Sequence, residues 1–357
     1  MPGFEKNILG FVPKEEWLDV GFNVERPGDP TEALIGDIRT DNLVAYWESI
    51  AAEYQVPLMA QFHGFDTEAQ QTIRVPVDTH NIEKGLIKVK INQSERMRAL
   101  LRAGVKNDDM YDYVINDGIR LADQVVTRTK VAKNEMLATG QITIKENNLD
   151  LVVDYGVPAA QKNLTIDFGA GASAPVDEQL EELVSTSITN GNPINGFITS
   201  RAIMNKLRKN SAIQKAINGV NMQGVLVSNA DLKAYLSEEY GINTVILNDL
   251  TYGTYGGMTN DRPVVTKQRY FPENRITFFS ANTNGKLGDG LWGDPPETDV
   301  AKYMDVGTSE VSPYVYVSQY IENDPAVLWT KASALFMPVL YNPNSLYIAN
   351  ATSTAGA

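Results

Sequence analysis

The chain has 357 residues, 43% of them hydrophobic, enough for a sizeable core and for more than one domain. Its 44 acidic and 31 basic residues leave a formal charge of -13, which excludes a surface built broadly to neutralise phosphates. Cysteine is absent, so disulfides and thiolate metal sites are excluded; Glu5, Glu15 and Glu16 stand where a signal peptide needs an apolar centre, and the chain reads as soluble and non-secreted.

Residues 1–45 are short apolar clusters, Phe4, Ile8, Leu9, Phe11 and Val12, then Trp17, Leu18, Val20 and Phe22, divided by Pro13, Pro27, Gly28 and Pro30. Such a segment closes no core of its own and reads as a strap across another surface. Arg39 to Gln55 carries helical spacing through Leu43, Tyr46, Trp47, Ile50 and Ala51, which predicts a helix. Two strand-like pieces follow, Thr72 to Val77 and Leu86 to Ile91, joined by Asp78 to Gly85. A two-stranded excursion is marginal alone, so residues 61–98 read as a protruding loop that needs a partner surface.

The stretch Asn107 to Gly140 predicts one long helix, a rod of roughly 50 Å. Asn107 caps it, Asp108 and Asp109 meet the positive end of its dipole, and Gly140 takes the left-handed turn that stops it. Ile115, Ile119, Ala122 and Val126 line one stripe, and Val114, Gly118, Leu121 and Val125 another. Arg128, Lys130, Lys133 and Asn134 break any heptad seam, so the helix is expected to lie on a sheet supplied by the hairpin that follows. In that hairpin Gln141 to Lys145 and Leu149 to Tyr155 alternate, and Glu146, Asn147 and Asn148 turn.

Gln161 to Ser173 reads as a linker into an α/β lobe. Its expected elements are helices at Val176 to Ser187, Arg201 to Lys209, Ala212 to Asn218 and Leu232 to Tyr240, the last capped by Ser228 with Asp231. Short strands are expected at Gly196 to Thr199, Gly224 to Val227 and Asn243 to Leu247. From Tyr252 the sequence reads as loop-rich, with strands around Val264 to Arg269 and Arg275 to Ser280 and a Gly-rich run from Asn284 to Glu297. Tyr314 to Ile321 and Val327 to Ile348 are strand-forming without intervening helices, so they are expected to rejoin the first unit as an antiparallel sheet.

No catalytic set converges. The two histidines, His63 and His80, fall in the protruding loop and read as surface residues. Gly253, Gly256 and Gly257 lack the strand and GK[ST] sequence of a phosphate loop. Glu181 with Glu182 and Glu238 with Glu239 read as wet helical faces, as do Lys206, Arg208, Lys209 and Lys215. Lys84, Lys88 and Lys90 read as solvated lysines on a strand edge.

The phrase YFPENRITFFSANTNGKLGDGLWGDPPE at Tyr270 to Glu297, followed by DPAVLWTKASALFMPVLYNPNSLYIA at Asp324 to Ala349, resembles the major capsid proteins of tailed bacteriophages, and within them the lambda major-head-protein (E) family. ATGQITIKENNLDLVVDYG and GFITSRAIMNKLRKNSAIQKAI extend the resemblance across roughly residues 40–350, as an ordered set of weak motifs. It implies an α+β chain with the Hong Kong 97-type capsid fold. Residues 1–45 would be the N-terminal arm, 46–60 an opening helix of the peripheral domain, and 61–98 the extended two-stranded loop. Residues 99–187 would be the peripheral domain, with its spine helix at 107–140 on an antiparallel sheet and its hairpin at 141–155. An inserted α/β axial domain would span 188–311, and C-terminal strands at 312–357 would rejoin the core.

The resemblance implies a structural protein, not an enzyme, which assembles into the hexamers and pentamers of an icosahedral head around the phage genome. It implies no catalytic, cofactor-binding or metal residues. Implied partners are other copies, a portal protein and double-stranded DNA held without sequence specificity on the inner face; a decoration protein is left open. The long charged N-terminal scaffold of some relatives has no counterpart here, which implies a separate scaffolding protein. The implied location is the virion, after assembly in the host bacterial cytoplasm and without a membrane. An encapsulin-like compartment shell and a carboxylate-based hydrolase are the alternatives.

Overall fold

The computed structural model describes residues 28–50, 55–56, 59–60, 65, 74, 76–93, 107–219, 225–259, 262–299, 308–311, 314–324 and 326–352. Of the strap predicted at 1–45, residues 1–27 lie outside the described residues, and residues 28–45 are no strap: Ile35–Arg39 pairs as a strand with Gly288–Trp292, and Leu34 and Ile35 are buried in the core. In chain order the first elements are β1 (Ile35–Arg39), β2 (Val44–Ile50), β3 (Val77–Glu83), β4 (Gly85–Gln93), α1 (Asn107–Thr139), β5 (Gln141–Glu146) and β6 (Leu149–Asp154). The lobe contributes α2 (Ala159–Lys162), β7 (Leu164–Asp167), α3 (Val176–Thr189), β8 (Gly196–Thr199), α4 (Arg201–Lys209), α5 (Ser211–Asn218), α6 (Asn229–Tyr240) and β9 (Thr244–Leu247). The remainder is β10 (Thr251–Thr259), β11 (Arg262–Arg269), β12 (Arg275–Phe279), β13 (Gly288–Gly293), β14 (Thr308–Val311), β15 (Val315–Asn323), β16 (Ala326–Leu340) and β17 (Leu346–Thr352).

The 15-residue strand β16 organises the larger sheet. Along one edge it pairs with β15 and then β13; along the other it pairs with β4, so that Leu335 and Phe336 each face a partner on both sides. β1 closes the sheet in parallel against β13. α1 packs on this sheet, burying Leu121, Ala122, Val125, Val126, Met136 and Leu137. Its stop is the expected one, with Gly140 at φ 68 and its N–H on Met136 O at 2.8 Å. The supporting sheet is not the expected one: β5 and β6 form a separate two-stranded hairpin beside the helix end. Two strands bury too little to carry a rod of 33 residues, whereas β16 runs long enough to do so.

The second sheet has the order β7-β17-β12-β8-β9. Helices α3 to α6 enclose its own core with Phe197, Ile203, Leu232, Leu236, Phe278 and Tyr347. Ser200 and Ser228 cap α4 and α6 as their spacing predicts. The C-terminal strands therefore divide: β15 and β16 join the sheet under α1, and β17 joins the lobe.

Several local expectations are corrected. Where the helix expected from Arg39 to Gln55, with its 46–60 segment, is described, Val44–Ile50 is strand β2, paired antiparallel with β3, and none of the other described residues there is helical. Ala45, Trp47 and Ser49 are buried while Val44, Tyr46 and Glu48 are exposed, a period of two that the helical reading overlooked. Of the two strands expected in the 61–98 loop, Leu86 to Ile91 lies in β4 as expected, whereas Thr72 to Val77 lies largely outside the described residues and only Val77 belongs to a strand. Asp78 to Glu83, expected as a connection, lies in β3, and β4 leaves the loop to pair with β16. The linker at Gln161 to Ser173 contains edge strand β7, paired in parallel with β17 and holding Ile166 in the core. Residues 225–228 form no strand.

The loop-rich stretch after Tyr252 is the hairpin β10–β11, which absorbs its glycines at a bulge between Tyr255 and Met258. The Gly-rich run contains β13, where glycine serves close packing: a Cβ at Gly288 would stand 1.9 Å from Val339 O.

Candidate assembly surfaces

Polar side chains inside the molecule tie its parts together. Asp29 accepts from Thr31 N at 2.9 Å and from Asn134 Nδ2 on α1 at 3.0 Å. Asn248, after β9, donates to Asn134 Oδ1 at 2.8 Å, so one buried junction joins the first described residues, the long helix and the lobe. One residue along α1, Lys133 Nζ donates to Asp37 Oδ1 at 2.8 Å, and Trp292 Nε1 donates to the same oxygen at 2.7 Å. Lys133 and Asn134, read from sequence as breaking a seam, are thus buried and bonded. Only partners distant in sequence reveal this, and no local pattern announces them.

The loop lysines are likewise not all solvated. Lys84 is buried, and its Nζ donates to Thr40 O at 2.7 Å, Thr40 Oγ1 at 2.6 Å and Trp292 O at 3.2 Å. Burial lowers its pKa, opposed by the charges of Asp294 and Asp41. Lys88 reaches Glu297 at 2.8 Å, and Lys331 reaches the same carboxylate at 2.7 Å. Burial alone would raise Glu297, but the hydrogen bonds from Lys331 and Lys88 outweigh it and hold the carboxyl at about 2. Lys90 lies 4.0 Å over the Trp329 ring. These contacts pin β4 to β16 and to the segment after β13.

His80 lies on β3, half-buried, stacked on Trp47 at 5.0 Å and within 3.0 Å of Ser49 Oγ. Its place is a hairpin face, not the open loop surface, and His63 lies outside the described residues. The acidic side chains of Glu181, Glu182, Glu238 and Glu239 are exposed on α3 and α6 as expected. In the basic group, Lys209 and Lys215 are exposed, whereas Lys206 covers the Phe168 ring and Arg208 donates to Val227 O at 2.6 Å. Among the described residues no cluster of three or more His, Cys, Asp or Glu is placed to hold a metal ion. Nor is any helix there long and apolar enough to cross a membrane.

What the surface does present is apolar. On the hairpin β2–β3, Val44, Tyr46 and Val77 are exposed; Leu43 just before it is exposed too, as are Val56, Met59 and Phe65 between its strands in sequence, the last two at 90% and 102%. A second patch, Leu149, Leu151 and Val152, lies on β6, and a third, Tyr255, Val264 and Val265, on β10–β11. Side chains of this kind on projecting two-stranded elements suit burial against another protein surface.

The profile of the family described as phage major capsid protein E matches residues 55–351. Among curated protein sequences none matches the chain. Among solved structures, the chain is similar to a protein described as the capsid protein of an E. coli CFT073 prophage, with a TM-score of 0.57 at 11% identity, covering 96% of this chain and 99% of the other. It is also similar to a phage-related protein from Bordetella bronchiseptica RB50, with a TM-score of 0.53 at 10% identity over 95% and 97% of the two chains. The capsid of a native GTA particle gives a TM-score of 0.50 at 12% identity over 93% and 92%. The fold is the Hong Kong 97-type capsid fold, and the chain belongs to the phage major capsid protein E family.

Proposed function

We propose that this structural shell protein assembles through hexamers and pentamers into the closed icosahedral head of a tailed phage, and that it is not an enzyme. The observation that carries the reading is the hairpin β2–β3 with its exposed apolar side chains, which gain a partner in a shell and have none in a monomer. In this reading α1 and the β16 sheet form the peripheral domain, and the lobe built on the second sheet supplies the axial domain that meets its copies at the capsomer centre; of the expected span 188–311, β13 and β14 fall to the β16 sheet instead. A separate scaffolding protein and a portal protein complete assembly in the host cytoplasm. Double-stranded DNA is then packed inside the shell without sequence readout.

The test is negative-stain microscopy of the chain co-expressed with its neighbouring genes. Closed particles or capsomers are expected, and a monomer at high concentration under those conditions overturns the proposal. With like charge on every subunit, particle yield should rise as salt is added from low to moderate concentration. A steady fall would show that ion pairs dominate the contacts instead.

A further inference from the structure

The hairpin β2–β3 is held to its own subunit along one face and at one end. Ala45 and Trp47 belong to the core beside α1, with the Trp47 ring 5.9 Å from that of Tyr155. At the near end, where Val44 faces Glu83, Lys84 closes the stem: its N–H donates to Leu43 O at 3.0 Å, and its ammonium reaches Thr40 O and Trp292 O. Thr40 N donates to the same Trp292 carbonyl at 2.8 Å, so the residues that enter and leave the hairpin share one acceptor on β13. At the far end Ile50 faces Val77, and two strands alone hold such an end weakly.

Beyond that far end the chain touches the lobe. Gln55 Oε1 accepts from Asn342 Nδ2 at 3.0 Å, and Asn342 Nδ2 also donates to Asn192 Oδ1 at 3.0 Å. Both asparagines are fixed by their own surroundings. Asn342 Oδ1 accepts from Asn344 N in the turn before β17, and Asn192 N donates to Ser187 O at the end of α3. Gly191 stands beside them at φ 77, where a Cβ would lie 3.0 Å from both Gln55 O and Val56 Cγ2. Glycine there takes the left-handed turn after α3 and lets the backbone of residues 55–56 lie directly on it.

We propose that Gly191, Asn192 and Asn342 form a seat on the lobe for Gln55–Val56, a latch that fixes the far end of β2–β3 and so the aim of its exposed apolar side chains. Val56 stays 51% exposed and the polar contacts are few, so the latch opens without unfolding the lobe or the core. With it closed, the hairpin follows the lobe as well as the sheet under α1. The seat is a contact within one subunit, and it stands or falls apart from the shell proposal.

Hydrogen exchange on the full-length chain, compared with Gln55→Ala, tests it. Amides of residues 48–50 and 77–79 should exchange about fivefold faster, whereas residues 82–83, beside Lys84, and α1 should be unchanged. Equal exchange at the far end overturns the proposal; so does acceleration that spreads into α1, which would make Gln55 a support of the core. The absence of cysteine allows a second measurement, oxidation of the chain carrying Val56→Cys and Gly191→Cys, since a Cβ at 191 meets the Val56 side chain at 3.0 Å. A disulfide within the chain that slows exchange at 48–50 and 77–79 supports the seat. A disulfide between chains, free thiols after oxidation, or a disulfide that leaves exchange unchanged overturns it.

Discussion

Around α1 polar side chains are buried and bonded, whereas on hairpins β2–β3 and β10–β11 apolar side chains are exposed. The inversion teaches how labour is divided in one chain. Asn134, Lys133 and Asp37 fix the orientation of the long helix, the sheet and the lobe, because an unpaired polar group there is costly in any other arrangement. The hairpins contribute little to that frame, and their apolar faces are left for a neighbouring subunit.

The comparison predicts opposite responses to the same kind of substitution. Gly288→Val should have the largest effect, because the new Cβ meets backbone at Val339 and Leu340 in the middle of the sheet, where nothing yields cheaply. A loss of about 3 kcal/mol or more is expected, read as a lowered urea midpoint or failure to fold. By contrast Gly256→Ala, on β10, where the new Cβ would meet its nearest neighbour, Val264 O, at 3.6 Å, should change stability by less than about 0.5 kcal/mol.

Removing the tip of the first hairpin separates assembly from folding. Replacing residues 57–74 by a short Gly-Ser linker retains β2 and β3, so circular dichroism and the melting transition should stay near normal. Closed particles should not form, since burial of even about 400 Å² of apolar surface contributes on the order of 10 kcal/mol before ordering costs, which remove a large part of it. Normal particles from this variant would show that the hairpin is not the clasp between subunits.

Asn134→Leu tests the frame itself. The substitution keeps volume but leaves Asp29 Oδ2 without its partner and Asn248 Nδ2 with only the 3.5 Å contact to Asp29 Oδ1, and a loss of about 2 kcal/mol is expected in denaturant unfolding. An unchanged midpoint would mean that the two remaining groups find other partners.

Much of this division was legible in the sequence. The 3.6-residue stripe and Gly140 announce α1, Ser200 and Ser228 announce α4 and α6, and the Asn147–Asn148 pair, both at positive φ, announces the turn of β5–β6. What failed were segments whose identity is set by a distant partner. Val44–Ile50 carries helical and strand periods at once, and only pairing with β3 decides between them. Gly288–Gly293 looks like loop because its glycines let β16 approach closely, a requirement imposed from nearly fifty residues away. Lys84 looked solvated, and Lys133 and Asn134 looked only like breaks in an apolar seam, for the same reason: their partners lie far off along the chain.

The smallest of the expected losses, the near-neutral Gly256→Ala aside, sits where the two regions meet, at Glu297. Its carboxylate receives Lys88 from β4 and Lys331 from β16, and so fastens the strand that follows the first hairpin to the sheet under α1. Because its folded pKa, about 2, lies below the ordinary 4.5, the carboxylate stabilises the fold fully above its unfolded value, and that contribution is lost as the pH falls through the folded one. Lys88 is partly exposed, and Glu297 Oε2 is buried without a partner, so solvent screening and desolvation reduce the gain well below the full shift. Glu297→Gln should therefore lower stability by about 1 kcal/mol near neutral pH, by leaving two lysines without their counter-charge. The gap between the two proteins should narrow steadily between about pH 4.5 and pH 2, where the native side chain also becomes neutral. Urea midpoints across that range decide it. A gap that stays constant in acid would show that Glu297 holds β4 by shape and hydrogen bonding, and that its charge contributes nothing to joining the hairpin to the frame.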